Sequence, residues 1–303
     1  MSSNKHQKTE LAVKPSIQTA PAVAEDVDFS AEIAADAGKG LEHIDADSVA
    51  IPFLAILQSG SPQVDPDSGE YIEGTKAGMF YNTVTREVFD GKAGVLIVPC
   101  EYQRKFLRWS PRDAGGGFKG EIKTEDVAKM RARGELVELE NRLYVPDEGG
   151  SINPKKNDKV SDTRVHYILL LNPNTGAAQQ AVLSLGSTQI KKSKQLIALL
   201  GSRIITDPAT GQQATPATFA NLVRVTTVPE SNDQGKWSGV KFELEGFVRD
   251  SATYRMGRAF HTMVNAGRAA ANFTAEQEAP AGGGRAAPRR AAESMNMEDD
   301  VPF

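Results

Sequence analysis

Between Tyr102 and Trp109 the chain reads Tyr-Gln-Arg-Lys-Phe-Leu-Arg-Trp, the densest mixture of aromatic and basic residues in the sequence. Side chains along a strand point alternately to its two faces. An extended backbone here therefore puts Tyr102, Arg104, Phe106 and Arg108 on one face and Gln103, Lys105, Leu107 and Trp109 on the other. A single-stranded nucleic acid needs cations that track its phosphates and flat rings on which its bases stack. The first face supplies both in alternation, with Lys105 and Trp109 as further candidate contacts. The competing reading is a half-wet antiparallel strand, in which Phe106 or Trp109 belongs to a core and the charges are solvated. The regular alternation of rings and arginines on one face favours the first reading.

A second cationic group is Lys191, Lys192 and Lys194. These lysines fall in the first turns of an expected helix opened by Ser187, striped by Ile190, Leu196, Ile197, Leu199 and Leu200, and closed by Gly201. Cations near a helix N-terminus oppose the helix dipole and repel one another. A phosphate partner would relieve that arrangement; an ordinary basic solvent face is the alternative. Lys155, Lys156 and Lys159 sit in a polar loop open to the same two readings.

Other chemistry is poorly supported. One cysteine, Cys100, excludes a disulfide within the chain and a Cys-based zinc cluster. It follows Leu-Ile-Val-Pro, which suits a structural thiol better than a nucleophile. The four histidines show no metal-ligand spacing, and His166 reads as a hydrogen-bonded sheet residue. The Gly115-Gly116-Gly117 run lacks the Lys-Ser or Lys-Thr of a P-loop. Glu243 and Glu245 share a strand face, which a wet sheet explains. The expectation is a protein that is not an enzyme and needs no cofactor or metal.

The last residues carry a different signal. Glu298, Asp299 and Asp300 are followed by Val301, Pro302 and Phe303, after a segment rich in Ala, Gly, Pro and Arg. This segment resembles the acidic tip of bacterial single-stranded DNA-binding proteins, in which a carboxylate run leads to an aliphatic residue, Pro and a terminal Phe. Glu298 stands where that family more often has Asp. The resemblance covers about seven residues; the longer body is more similar to the bacteriophage type of single-stranded DNA-binding protein, which joins such a tail to an OB-type core. It implies that Phe303 enters a hydrophobic pocket on a replication, recombination or repair protein, with its α-carboxylate, Asp299 and Asp300 against a basic rim. It also implies that the tail folds back over the basic groove when DNA is absent.

The elements that must position these residues follow from composition and period. Residues 1–50 hold four lysines and nine acidic residues, net −5, and residues 274–303 are net −3. With −4 overall, the middle is +4, a basic body between acidic ends. The expected organisation is a disordered or weakly helical acidic arm over 1–48, a DNA-binding domain over 49–273 and a flexible linker with the tip over 274–303. Within the arm, residues 29–40 have helical spacing with Ser30 as cap. Asp90-Gly91 predicts a hairpin. Thr124 is the expected cap of a helix over 124–133, and 138–145 is an expected strand. Strands over 163–171 and 177–185 flank the turn Asn172–Gly176, the clearest hairpin. Strands follow over 219–228 and 236–248, then a helix over 251–271.

The fold expectation is α+β, mainly β: an OB-like antiparallel barrel or sheet with helical insertions. The functional expectation is sequence-independent single-stranded DNA binding in phage replication, recombination and repair. The alternative is a virion or scaffold protein with a docking peptide. No apolar stretch follows the N-terminal lysines and none approaches the length of a membrane span, so the expected location is the cytoplasm, that of the host if the chain is phage-encoded. A homo-oligomer is compatible with the sequence.

Overall fold

A computed structural model describes residues 30–36, 39–40, 50–233 and 235–276. The expectations for the acidic arm before residue 30, for the linker beyond Glu276 and for the Glu298–Phe303 tip fall outside the described residues; the first residues expected in the linker, Thr274–Glu276, are instead helical. Two units divide after Ile44. Of the first, the short exposed helix α1 (Ser30–Ala35) lies within the expected helical stretch.

The second unit is built on long antiparallel strands. It opens with β1 (Leu54–Ile56), β2 (Phe80–Asn82), β3 (Val88–Phe89) and β4 (Val95–Ser110). A lobe follows: β5 (Gly117–Ile122), α2 (Thr124–Ala132), β6 (Val137–Leu139) and β7 (Arg142–Tyr144). Next come β8 (Lys159–Leu171), β9 (Ala178–Gly186) and α3 (Ile190–Gly201). The chain continues through β10 (Ile205–Thr206), β11 (Gln213–Ala214), β12 (Asn221–Asn232) and β13 (Gly235–Phe247). It ends with α4 (Ser251–Asn265) and α5 (Phe273–Glu276). The fold is α+β, mainly β and antiparallel, as expected.

β4 is the spine. It pairs with β8 along nearly its whole length. On its other edge it pairs with β12 over Val95–Ile97 and with β5 over Phe106–Ser110. β8 in turn pairs with β7 near its start and β9 beyond. A single parallel bridge, Phe53 to Val182, attaches the small β1–β2–β3 sheet to β9. At the far side the loop after β3 reaches β12, where the Thr227 amide donates to the Gly91 carbonyl at 2.8 Å. The sheet thus curls in an OB-like way, but no continuous ladder closes it. Gly91 is required at this approach: a Cβ there would lie 1.7 Å from the Gly78 carbonyl oxygen.

The curl encloses one core, with Phe80, Ile97, Ile168, Leu170, Leu183 and Val225 among its members, and α3 seals it with Leu196 and Leu200. A second core lies on the opposite sheet face, where Val98, Leu107, Val165, Tyr167 and Leu169 meet Phe260 and Val264 of α4. Fully burying one such aliphatic or aromatic side chain contributes about 1.5–3 kcal/mol. A third, smaller core belongs to the lobe: Phe106, Val127, Leu136 and Val160.

Several local expectations need correction. Asp90-Gly91 joins β3 to β4, which do not pair; the Asp90 carboxylate instead accepts from the Lys92 and Ala93 amides and forms a local turn. The expected strand over 138–145 is a tight hairpin, folded at Glu140 and Asn141, both left-handed at φ 51° and 59°. Thr124 is not a cap: Lys123 holds that position, and the Thr124 hydroxyl donates to the Arg104 carbonyl at 3.3 Å. Ser187 does not cap the lysine helix; it starts a 3₁₀ turn at φ 52° that leads into α3. The helix expected to reach residue 271 stops at Asn265.

Candidate functional site

The face carrying Tyr102 is decided by one residue. Opposite β8, Pro99 pairs with Ile168 and Glu101 with Tyr167, so Cys100 is an extra residue, a β-bulge. An unbroken strand would put Tyr102 on the side of Val98 and Cys100, facing α4. The bulge transfers Tyr102, Arg104, Phe106 and Arg108 to the side of Val95 and Ile97, where α3 packs. Cys100 itself is buried, and burial pushes its thiol up to about 12, so it stays protonated and inert.

On that side the cross-strand partners of β8 complete a cluster. Tyr102 lies over His166, ring centroids 5.2 Å apart. The Tyr102 hydroxyl accepts from Arg164 Nη1 at 2.8 Å. Arg164 Nη2 donates to Asp162 Oδ2 at 3.0 Å. Arg104 binds the same carboxylate with two N–H groups, at 3.1 and 2.7 Å. Two guanidinium groups therefore share one carboxylate, leaving net positive charge. Arg164 is largely buried and its Nε has no acceptor, whereas the Arg104 side chain is 41% exposed. Farther along, Arg108 pairs with Asp158 at 2.6 Å.

The cluster connects directly to the lysine helix. His166 Nε2 and Ser193 Oγ of α3 are 2.8 Å apart, and both residues are buried. Burial, reinforced by the Arg164 charge, lowers His166 to about 4, so the imidazole is neutral near pH 7 and acts as a polar peg between sheet and helix. Ser193 lies between Lys192 and Lys194. The two cationic groups singled out in the sequence thus lie on one side of the sheet, joined by a buried hydrogen bond. Lys191 and Lys194 are exposed and have no acidic partner among the described residues. Lys192 pairs with Glu230 at 3.1 Å and is mostly covered.

Three candidates are not presented with this cluster. Phe106 is 4% exposed and sits in the core of the lobe, with the Arg104 guanidinium 4.7 Å from its ring centre, so its ring is packed rather than presented. Lys105 is on the α4 side and is held by Glu121 at 2.7 Å. Trp109 is also on that side, against Phe118 at 5.4 Å and the second core. Arg164 and His166 complete the cluster although neither was singled out as a contact; their alternation with β4 becomes informative only once the pairing register is known.

The arrangement can present a ring edge, an exposed guanidinium and two exposed ammonium groups to a polyanion. No helix among the described residues is long and apolar enough to cross a membrane. A family model described as Pam3 phage gp34-like protein matches residues 22–270, which include the whole cluster and α3 but not the acidic tip. No curated protein and no solved structure matches the chain. A match over most of the sequence makes this chain a member of the Pam3 phage gp34-like protein family, a bacteriophage family.

Proposed function

We propose that the chain binds single-stranded DNA without sequence preference and without catalysing a reaction, and that its Glu298–Phe303 segment recruits replication, recombination or repair proteins. The observation that carries the reading is the pair Arg104 and Arg164 sharing Asp162 beside Tyr102, on the side of the sheet flanked by Lys191 and Lys194. A phosphate oxygen accepts well from a guanidinium that a carboxylate already orients. Tyr102 offers a ring for a base, and stacking tolerates any base. The basic body between acidic ends supports the same reading, since the tip can compete for the cations when DNA is absent.

Arg104→Ala tests it. The residue is exposed and its ion pair is of the kind that contributes about 0–1 kcal/mol, so the fold should be retained. Affinity for a labelled dT oligonucleotide should fall severalfold at low salt while thermal unfolding stays within a few degrees of the parent. Unchanged affinity in a folded variant contradicts the assignment of this face.

A further inference from the structure

The distal half of the β12–β13 hairpin extends past the sheet. β4 pairs with β12 only through Val223–Val225, whereas β12 and β13 stay paired out to Asn232 and Gly235. On this arm sits Trp237, half-buried and outside all three cores. Its indole is held through Glu230, on which three side chains converge. Its indole Nε1–H donates to Glu230 Oε2 at 2.9 Å, directly across the hairpin. Glu230 also accepts from Gln189 Nε2 at 2.8 Å and pairs with Lys192 at 3.1 Å. Gln189, at the start of α3, accepts the edge amide of Val240 at 3.0 Å. Burial alone would raise the Glu230 carboxyl, but the bonds from Gln189, Lys192 and Trp237 outweigh it and hold the group ionised. Gly239 makes room: a Cβ there would come within 2.7 Å of the Glu230 carboxyl group and 2.8 Å of Gln189 Nε2.

Beside the indole is an open cleft of about 490 Å³, walled by Gln58, Ser59, Ala77, Pro229, Lys236 and Trp237. Its far wall is as firmly set. The buried Gln58 amide accepts the Ser238 amide at 2.8 Å and donates to the Ser238 carbonyl at 3.0 Å, pairing with the hairpin edge as a strand would. The Gln58 amide and the Glu230 carboxylate are both engaged by these bonds. What is left for an occupant is an indole, Ala77 and Pro229, with the Ser59 and Ser231 hydroxyls, exposed Lys236 at the rim and exposed Lys191 on the adjoining helix. The volume falls within the range of small-molecule sites. A planar heteroaromatic ring with an anionic substituent fits this chemistry: the ring against the indole, the anion toward the lysines.

The geometry points to the Trp237 cleft as a second base-stacking site, which takes a nucleobase of the strand that reaches the Tyr102 face by way of the α3 lysines. This rests on the single-stranded DNA reading of the chain. Trp109 and Trp237 are the chain's two tryptophans and both are half-buried, Trp109 against the second core, so in a chain carrying Trp109→Phe the emission reports the cleft.

The test uses the full chain, with and without Trp109→Phe. A dT oligonucleotide should quench the remaining Trp237 emission in step with binding measured independently by anisotropy. dTMP over the same concentrations should not. Trp237→Ala should weaken oligonucleotide binding roughly tenfold, while Trp237→Phe, which keeps a ring, should recover most of it. Crosslinking of a 5-iodouracil-substituted oligonucleotide to the wild-type chain, read by mass spectrometry, should map to the peptide containing Trp237 and requires no variant to fold. Tight binding with no quenching and no crosslink at Trp237 overturns the cleft site and leaves the first reading standing. Quenching by dTMP as strong as by the oligonucleotide overturns the strand path in favour of a free-nucleotide site. A wild-type chain that binds no oligonucleotide overturns both readings.

Discussion

Tyr102 and Phe106 are two aromatics on one strand face with opposite fates, and the difference is measurable. Phe106 fills the core of the lobe, so Phe106→Ala should cost about 3–5 kcal/mol of stability. Tyr102 belongs to none of the three cores, so Tyr102→Ala should cost far less stability but lower dT oligonucleotide affinity by about 1–3 kcal/mol. Urea unfolding and anisotropy on the same two variants separate the roles; equal losses of affinity from both would contradict them. His166 supplies a pH prediction. Its value of about 4 in the fold lies below the 6.5 of a free imidazole. Between those values the unfolded chain binds more protons, so stability rises with pH across the window and is lost as pH falls through it. The full difference is about 3 kcal/mol. His166→Gln should flatten the stability profile between pH 4 and 6.5, measured by urea midpoints; a profile as steep as the parent's would contradict the buried neutral imidazole.

At the scale of elements, local chemistry was readable and pairing was not. The hairpin around Asn172–Gly176 was legible because its turn is self-contained: the Asn172 carboxamide accepts the Asn174 and Thr175 amides. β12 and β13, as two separate strands, and α3 followed from their own composition and periodicity. The turn at Glu140 and Asn141 was missed because Glu140 gives no left-handed signal and Asn141, without a following glycine, gives only a weak one. Asp90-Gly91 misled for the converse reason: its side-chain bonds form a turn, but the glycine is needed for its approach to Gly78 and Thr227, which are remote in sequence. Gly91→Ala tests that contact. Relief of so close an approach requires the backbone to shift, so stability should drop by about 1–3 kcal/mol or more, seen as a lower unfolding midpoint. A silent substitution would mean that the loop does not lie against β12. The bulge at Cys100 was equally hidden. Alternation placed Tyr102, Arg104, Phe106 and Arg108 together, but only the extra residue decides that they face α3 rather than α4.

Over the whole molecule, charge separates a basic body from acidic ends, and that division was visible in composition alone. What composition could not supply is which cations are already committed. Lys105, Lys192 and Arg108 have carboxylate partners at 2.6–3.1 Å, whereas Lys191 and Lys194 have none among the described residues. Of the cations singled out from the sequence as candidate contacts, those left without a carboxylate partner are therefore on α3, the helix joined through Ser193 and His166 to the strand that carries Arg164. If the acidic segment competes for those cations, a chain ending at Asn296 should bind single-stranded DNA as tightly as the full chain or more so. Loss of binding on that truncation would contradict a competing tail. The same truncation, or removal of Phe303 alone, should abolish capture of the partner proteins implied for the tip.

The most direct measurement is anisotropy of a labelled poly-dT oligonucleotide and of a duplex of equal length, titrated with the full chain across a salt series. The account predicts preference for the single strand, with log affinity falling linearly in log salt by about 0.7 for each phosphate neutralised. Equal affinity for both forms, or no binding at low salt, would contradict single-stranded DNA binding and leave the acidic segment as a docking peptide on a structural protein.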